Sequence, residues 1–162
     1  MIDVEAALKL LKEGGVDFIV IGGVAASTLG SARATYDLDV VYSRTPGNIE
    51  RLVATLKSRS PYLRGAPPGL PFRWDEETVR KGLNFTLTTS VGDIDLLGEV
   101  TGGGGYEALL PHCLELKVFG IECRCLGLDK LIQVKRAAGR PKDLEAIAEL
   151  EAIREERQKL GL

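Results

Sequence analysis

The sequence predicts an α+β fold: a mixed β-sheet of about five or six strands with helices flanking it. Three observations lead there. Runs of strand length recur at residues 18–21, 37–41, 83–89 and 93–97, either apolar and β-branched or strictly alternating. Two further runs, 113–118 and 121–126, meet through Phe119-Gly120 as a hairpin. Between and after these strands lie stretches with helical spacing of apolar residues.

In chain order, Val4, Ala7, Leu8, Leu10 and Leu11 set a helix over 4–12, with Asp3 as N-cap and Gly14-Gly15 as its stop. Phe18 to Ile21 reads as a buried strand that ends at Gly22-Gly23. Small residues 24–29 suit a short helix closed by Gly30, and 37–41 suits a second strand. Ser43 or Thr45 caps the next helix, with Pro46 in its first turn and Ile49, Leu52, Val53 and Leu56 on one face. Residues 60–72, with four prolines, read as an irregular loop. Arg64, Arg73 and Trp74 in or beside it suit an acceptor-binding flap, or more simply a surface loop with Trp74 laid on the core. The alternating strand 83–89 turns through Ser90-Val91-Gly92 into 93–97. Thr101 to Gly105 reads as a mobile connector, since no Lys-Ser/Thr follows to make a phosphate loop of it. After the hairpin come a helix over 128–138, stopped by Gly139, and a charged helix over 141–160, for which Asp143 is a candidate N-cap where Arg140 and Lys142 cap or pair at the junction of the two helices. Leu144, Ile147, Ala148, Leu150 and Ile153 are the expected inner face of that last helix.

At 162 residues the chain is expected to form one domain, 1–162, with its C-terminal helices over 127–160. Composition, 44% hydrophobic and 27% charged, is that of a globular protein, and no apolar run is long enough to span a membrane. The N-terminus lacks the pattern of a secretory leader, and three cysteines in no scaffold spacing fit a reducing compartment, so a cytoplasmic location is expected. A zinc site from His112-Cys113 and Cys123-x-Cys125 is outweighed by the plainer reading of small apolar residues on paired strands. The net charge of −2 excludes a general polyanion binder. Charge is uneven, however: residues 124–142 hold six basic side chains against one acidic, Asp129.

The chemistry concentrates in residues 18–41. A strand that runs through glycines into a helix leaves backbone N–H groups open to an anion such as phosphate. Asp37 and Asp39, two apart on a strand, share a face. Like charges held side by side are disfavoured without a cation, and an all-oxygen pair suits Mg2+ or Mn2+. Either feature alone is commonplace, a turn or a solvated strand face. Their order behind a buried strand is not.

Gly22-Gly23, a spacer, then Asp37-Leu38-Asp39 resembles the signature of the DNA polymerase beta-like nucleotidyltransferase superfamily. Gly22-Gly23-Val24-Ala25, Gly30, Arg33, Thr35 and the later Lys135-x-x-Ala138-Gly139-Arg140-Pro141-Lys142-Asp143-Leu144 are similar to its AbiEii-type branch, known from toxin–antitoxin systems. The resemblance implies a nucleotidyltransferase fold and a metal-dependent transfer of a nucleoside monophosphate from an NTP to a hydroxyl on an RNA end, a protein or a small molecule. It implies that Asp37 and Asp39 bind Mg2+ or Mn2+. A third carboxylate is expected from another strand, Asp95 being preferred to Asp93 for its setting between Ile94 and Leu96. The NTP is expected over Gly22 and Gly23, with Ser27 as a further donor and Lys135, then Lys130, as counter-charges. A partner protein fits the toxin–antitoxin setting, and so does a non-catalytic nucleotide- or partner-binding module of the same fold. Full toxins of that branch carry a further helical domain after this core, so acceptor recognition by such a domain is not carried over.

Overall fold

A computed structural model describes residues 2–31 and 35–162. Arg33, part of the sequence pattern above, lies outside the described residues. The elements follow as α1 (Val4–Glu13), β1 (Phe18–Ile21), α2 (Gly22–Thr28), β2 (Asp37–Tyr42), α3 (Pro46–Leu56), β3 (Tyr62–Leu63), α4 (Glu76–Lys81), β4 (Asn84–Thr89), β5 (Gly92–Leu97), α5 (Tyr106–Leu109), β6 (Cys113–Val118), β7 (Ile121–Leu126), α6 (Leu128–Ala138) and α7 (Pro141–Lys159).

The strands form one mixed sheet in the order β3-β4-β5-β2-β1-β7-β6. β1 runs antiparallel to β2 and parallel to β7, and β2 runs parallel to β5. The other neighbours, β3 with β4, β4 with β5 and β6 with β7, are antiparallel. Among the described residues the sheet has seven strands where the sequence suggests five or six. The extra one is β3, two residues of the proline-rich stretch that pair with Thr88 and Leu87. Between the hairpin strands β6 and β7, Phe119 and Gly120 both take positive φ, as a two-residue turn that matches strand twist requires.

β1 is buried at all four positions, because it lies inside the sheet with neighbours on both edges. β2 and β5 alternate instead. Leu38, Val40, Ile94 and Leu96 enter the core, while Asp37, Asp39, Asp93 and Asp95 emerge on the other face. Asp3 caps α1 by accepting from the Ala6 N–H at 3.0 Å, and Ala7, Leu8 and Leu11 seal the helix into the core. Fully buried Asn48 ties β1 to β2. Its side-chain oxygen accepts from the Asp17 N–H at 2.7 Å, and its amide donates to the carbonyls of Asp17 and Ser43 at 3.0 and 2.8 Å.

Three local expectations need correction. Leu144 and Ala148 do not lie on the inner face of α7: Leu144 is 62% exposed, and Asp143, Ile147 and Leu150 are the buried residues. Asp143 does not cap that helix from outside. It stands at the third helical position, and its carboxylate accepts from the Arg140 N–H at 3.2 Å. The connector 101–105 is a hydrogen-bonded turn, in which the Val100 N–H donates to the Gly104 carbonyl at 2.9 Å. Trp74 does pack inward, edge-on to Phe85 and donating to the Val53 carbonyl at 3.0 Å. Among the described residues no helix is long and apolar enough to cross a membrane.

Candidate active site

The site grows from strand register. β2 and β5 run parallel with Asp37 beside Asp93 and Asp39 beside Asp95, so two Asp-x-Asp pairs lie next to each other on one sheet face. From these, Asp37, Asp39 and Asp95 each present an oxygen within 4.8 Å of the other two. Such crowding disfavours ionisation of all three. Burial, the charge of Asp37 and a hydrogen bond with Asp95 push the Asp39 carboxyl up to about 8. Burial, and then the charge of Asp95, also raises Asp37, against the pull of Arg64.

Gly22 shapes the floor. It closes β1, takes φ +69°, and lies directly under Asp39. A Cβ there would fall inside the carboxylate, 2.9 Å from its Cγ. The position therefore needs glycine twice over, for its backbone and for the close approach. Gly23 follows against Thr35, whose Oγ1 would sit 3.0 Å from an added Cβ.

Gly22 and the three carboxylates share one cleft of about 640 Å3 with residues of α6 and α7. Lys135, Arg140 and Lys142 form its cationic wall, and Asn84, Glu99 and Thr101 line another part of it. Lys135 is 20% exposed and stands 3.7 Å from buried Asp143. Arg140 Nε donates to Asp143 Oδ2 at 2.7 Å. Burial alone would raise Asp143, but the hydrogen bonds and charge of Arg140, with Lys135 behind them, outweigh it and keep the carboxyl below its ordinary value. Asp143 is thus an ionised anchor that holds two cations at the cleft.

Of the nucleotide-binding residues expected from sequence, Gly22 and Lys135 line this cleft. Ser27 lies on α2 and borders a separate hollow with Ile2, Val4 and Phe119. Lys130 reaches Gln133 at 3.3 Å on its own helix. The basic run 124–142 does not form one patch. Arg124, on β7, pairs with Glu115 and donates to the Tyr106 hydroxyl at 2.8 Å, and Arg136 pairs with Glu151.

Sequence reasoning gave no site role to Arg64 beyond the flap. Its guanidinium comes within 2.8 Å of Asp95, 3.3 Å of Asp93 and 3.9 Å of Asp37. The readable signal was Asp93, which shares a strand face with Asp95 and so needed a partner of its own. An oxygen-only donor set, crowded and partly withdrawn from water, is the chemistry of a hard divalent cation. Asp95 Oδ1 is buried and lacks a hydrogen-bond partner, its contact with Arg64 Nη2 at 2.8 Å being one of charge without hydrogen-bond alignment, which fits an oxygen able to serve as a metal ligand. The residues present fit Mg2+ or Mn2+.

No protein-family model and no curated protein sequence matches the chain. Its structure is similar to solved nucleotidyltransferase structures over nearly its whole length. Lincosamide antibiotic adenylyltransferase LnuA, bound to lincomycin, is 14% identical with a TM-score of 0.60, over 93% of this chain and 95% of that one. The antibiotic-resistance factor ANT(2'')-Ia, in its solution structure, is 16% identical with a TM-score of 0.57, over 98% and 94%. A proposed nucleotidyltransferase of Thermotoga maritima is 14% identical with a TM-score of 0.56, over 92% and 94%. The mixed sheet flanked by helices is the polymerase beta-like nucleotidyltransferase fold.

Proposed function

We propose that this chain is a metal-dependent nucleotidyltransferase that moves a nucleoside monophosphate from an NTP to a hydroxyl acceptor. One observation carries the reading: within this fold, three converging carboxylates face a wall of cations across a single cleft. Asp37, Asp39 and Asp95 are the residues to hold Mg2+ or Mn2+. Such an ion, when bound, neutralises phosphate charge and makes a nearby hydroxyl more acidic. Gly22 leaves the floor beside Asp39 clear for phosphate oxygens. Lys135, with Arg140 and Lys142, offsets the negative charge of the triphosphate and of the departing pyrophosphate. Asp95, from a different strand than the other two, is the group to orient the acceptor and receive its proton. The acceptor oxygen bonds to the α-phosphorus, the bond from that phosphorus to the β-phosphate bridge breaks, and pyrophosphate leaves. Positioning and charge do most of this work.

The AbiEii-type assignment, with its toxin–antitoxin setting and partner protein, rests on the motif residues around Gly22 and Gly139. For the acceptor, the dispersal of the basic run argues against an extended RNA track, so a small molecule or a short end suits the cleft better. LnuA with lincomycin and ANT(2'')-Ia with adenylyl-2''-tobramycin extend the acceptor panel to antibiotics of these kinds. The test is label transfer from α-labelled NTPs with Mg2+ to RNA, protein and small-molecule pools. We expect transfer that disappears in the Asp37→Ala/Asp39→Ala protein. Transfer that survives the double substitution would refute the assignment.

A further inference from the structure

Arg64 is joined to the carboxylates by an unusual kind of contact. Its backbone N–H donates to the Thr86 carbonyl at 3.0 Å, and its Nη2 donates to the Leu87 carbonyl at 2.7 Å. These two bonds lay the side chain across β4 toward β5 and β2. There it meets Asp95, Asp93 and Asp37 at 2.8, 3.3 and 3.9 Å. Among the described residues it is the one cation in ion-pair distance of this face, and it reaches three of the four carboxylates, Asp39 being the exception. Yet none of the three contacts has hydrogen-bond alignment: Arg64 Nε and Asp95 Oδ1 are both buried without a hydrogen-bond partner. Charge alone holds the guanidinium on the aspartates, whereas a directed bond holds it on Leu87. A contact of charge without direction is readily exchanged for a denser charge, and a small divalent cation is one.

We propose that Arg64 is the built-in counter-cation of the metal-free site, and that it gives up Asp95 and Asp37 to the incoming metal. It keeps Asp93 and the Leu87 carbonyl, so it retreats along the same face without leaving it. Asp93, which falls outside the metal-competent triad, has its role here as the carboxylate to which Arg64 withdraws. Arg64 is on this reading a positioning residue. The inference rests on the triad binding metal.

The test uses Mn2+ alone, without nucleotide, on the full chain. In calorimetric titration, Arg64→Gln removes a competing charge next to the metal, so Mn2+ is expected to bind on the order of tenfold more tightly. Arg64→Lys, which keeps the charge, stays near the parent affinity. The melting temperature of Arg64→Gln in EDTA falls, and its rise on adding Mn2+ exceeds that of the parent. A second arm needs no variant. Phenylglyoxal labelling of the unaltered protein, read at Arg64 by peptide mass spectrometry, is expected to speed up several-fold on adding Mn2+. Equal or weaker binding by Arg64→Gln, or labelling at Arg64 that Mn2+ leaves unchanged or slows, overturns the inference while the metal site stands. If Mn2+ binds neither the parent nor Arg64→Gln, the metal reading of the triad falls, and this inference with it.

Discussion

Replacing Gly22 by alanine adds one methyl group to the chain and places it inside the Asp39 carboxylate. Two costs are readable from the geometry. Gly22 takes φ +69°, a left-handed conformation that costs a residue with a Cβ roughly 1–2 kcal/mol. The nearer carboxylate oxygen lies so close that it must retreat by more than about 1 Å to reach ordinary contact, and a displacement of about 1 Å at a reacting centre already costs on the order of a hundredfold in rate. The stability term is small beside the total for a domain of this size, so the protein is expected to fold. The site term is not small, because Asp39 is one of three proposed ligands and is already crowded by Asp37 and Asp95. We expect Gly22→Ala to lower chemical stability by only that modest amount in urea, while Mn2+ affinity drops at least tenfold and nucleotidyl transfer drops about a hundredfold. Calorimetry with Mn2+ and a urea titration read the two effects separately. Parent-like Mn2+ affinity in a folded Gly22→Ala protein would refute the claim that the carboxylate must occupy this exact place.

Asp39 supplies a pH prediction. Its carboxyl is raised from 3.8 to about 8, so the protonated form stabilises the fold. That contribution is full below the unfolded value and is lost as pH rises through about 8. Metal needs the carboxylate, so Mn2+ binding near neutrality is expected to expel close to one proton, a release that fades above about pH 8. Calorimetry in buffers of differing ionisation enthalpy measures it, and binding at pH 6.5 without proton release would contradict the burial argument. Lys135→Met removes a cation of the cleft wall, and NTP affinity is expected to fall about tenfold while Mn2+ affinity rises slightly. Asn48→Ala leaves the Asp17 N–H and two carbonyls without their buried partner, so it is expected to cost about 2–3 kcal/mol in urea. Its Mn2+ affinity is expected to stay at the parent value, which separates scaffold from site.

What could be read from sequence was whatever the local period dictates. Alternation at 37–41 and 93–97 already puts each pair of aspartates on a strand face, and the glycine turn at Gly22-Gly23 follows from the end of an apolar run. The placement of β5 against β2 is a fact of topology, and only that makes two pairs into one cluster. Arg64 lies in a stretch whose prolines read as loop. Its direction comes from two residues of pairing with β4, too short a strand for periodicity to register. Neighbours in sequence also separate in space. Arg124 and Lys135 belong to one basic run, yet β7 carries the first to Tyr106 and α6 carries the second to the cleft. On α7 a hydrophobicity count favours Leu144 over Asp143 as the inward residue. Arg140 and Lys135 reverse that by giving the carboxylate buried partners. The short helix α4 had a local signature that went unread: Asp75 as cap, Glu76-Glu77 in the first turn and Arg80-Lys81 in the last.

The most direct test is anomalous diffraction from crystals of the chain grown with Mn2+ and a nonhydrolysable NTP. We expect manganese peaks bounded by Asp37, Asp39 and Asp95, with the triphosphate running from them toward Lys135. Manganese bound elsewhere, or a triphosphate that avoids this cleft, would contradict nucleotidyl transfer at these residues.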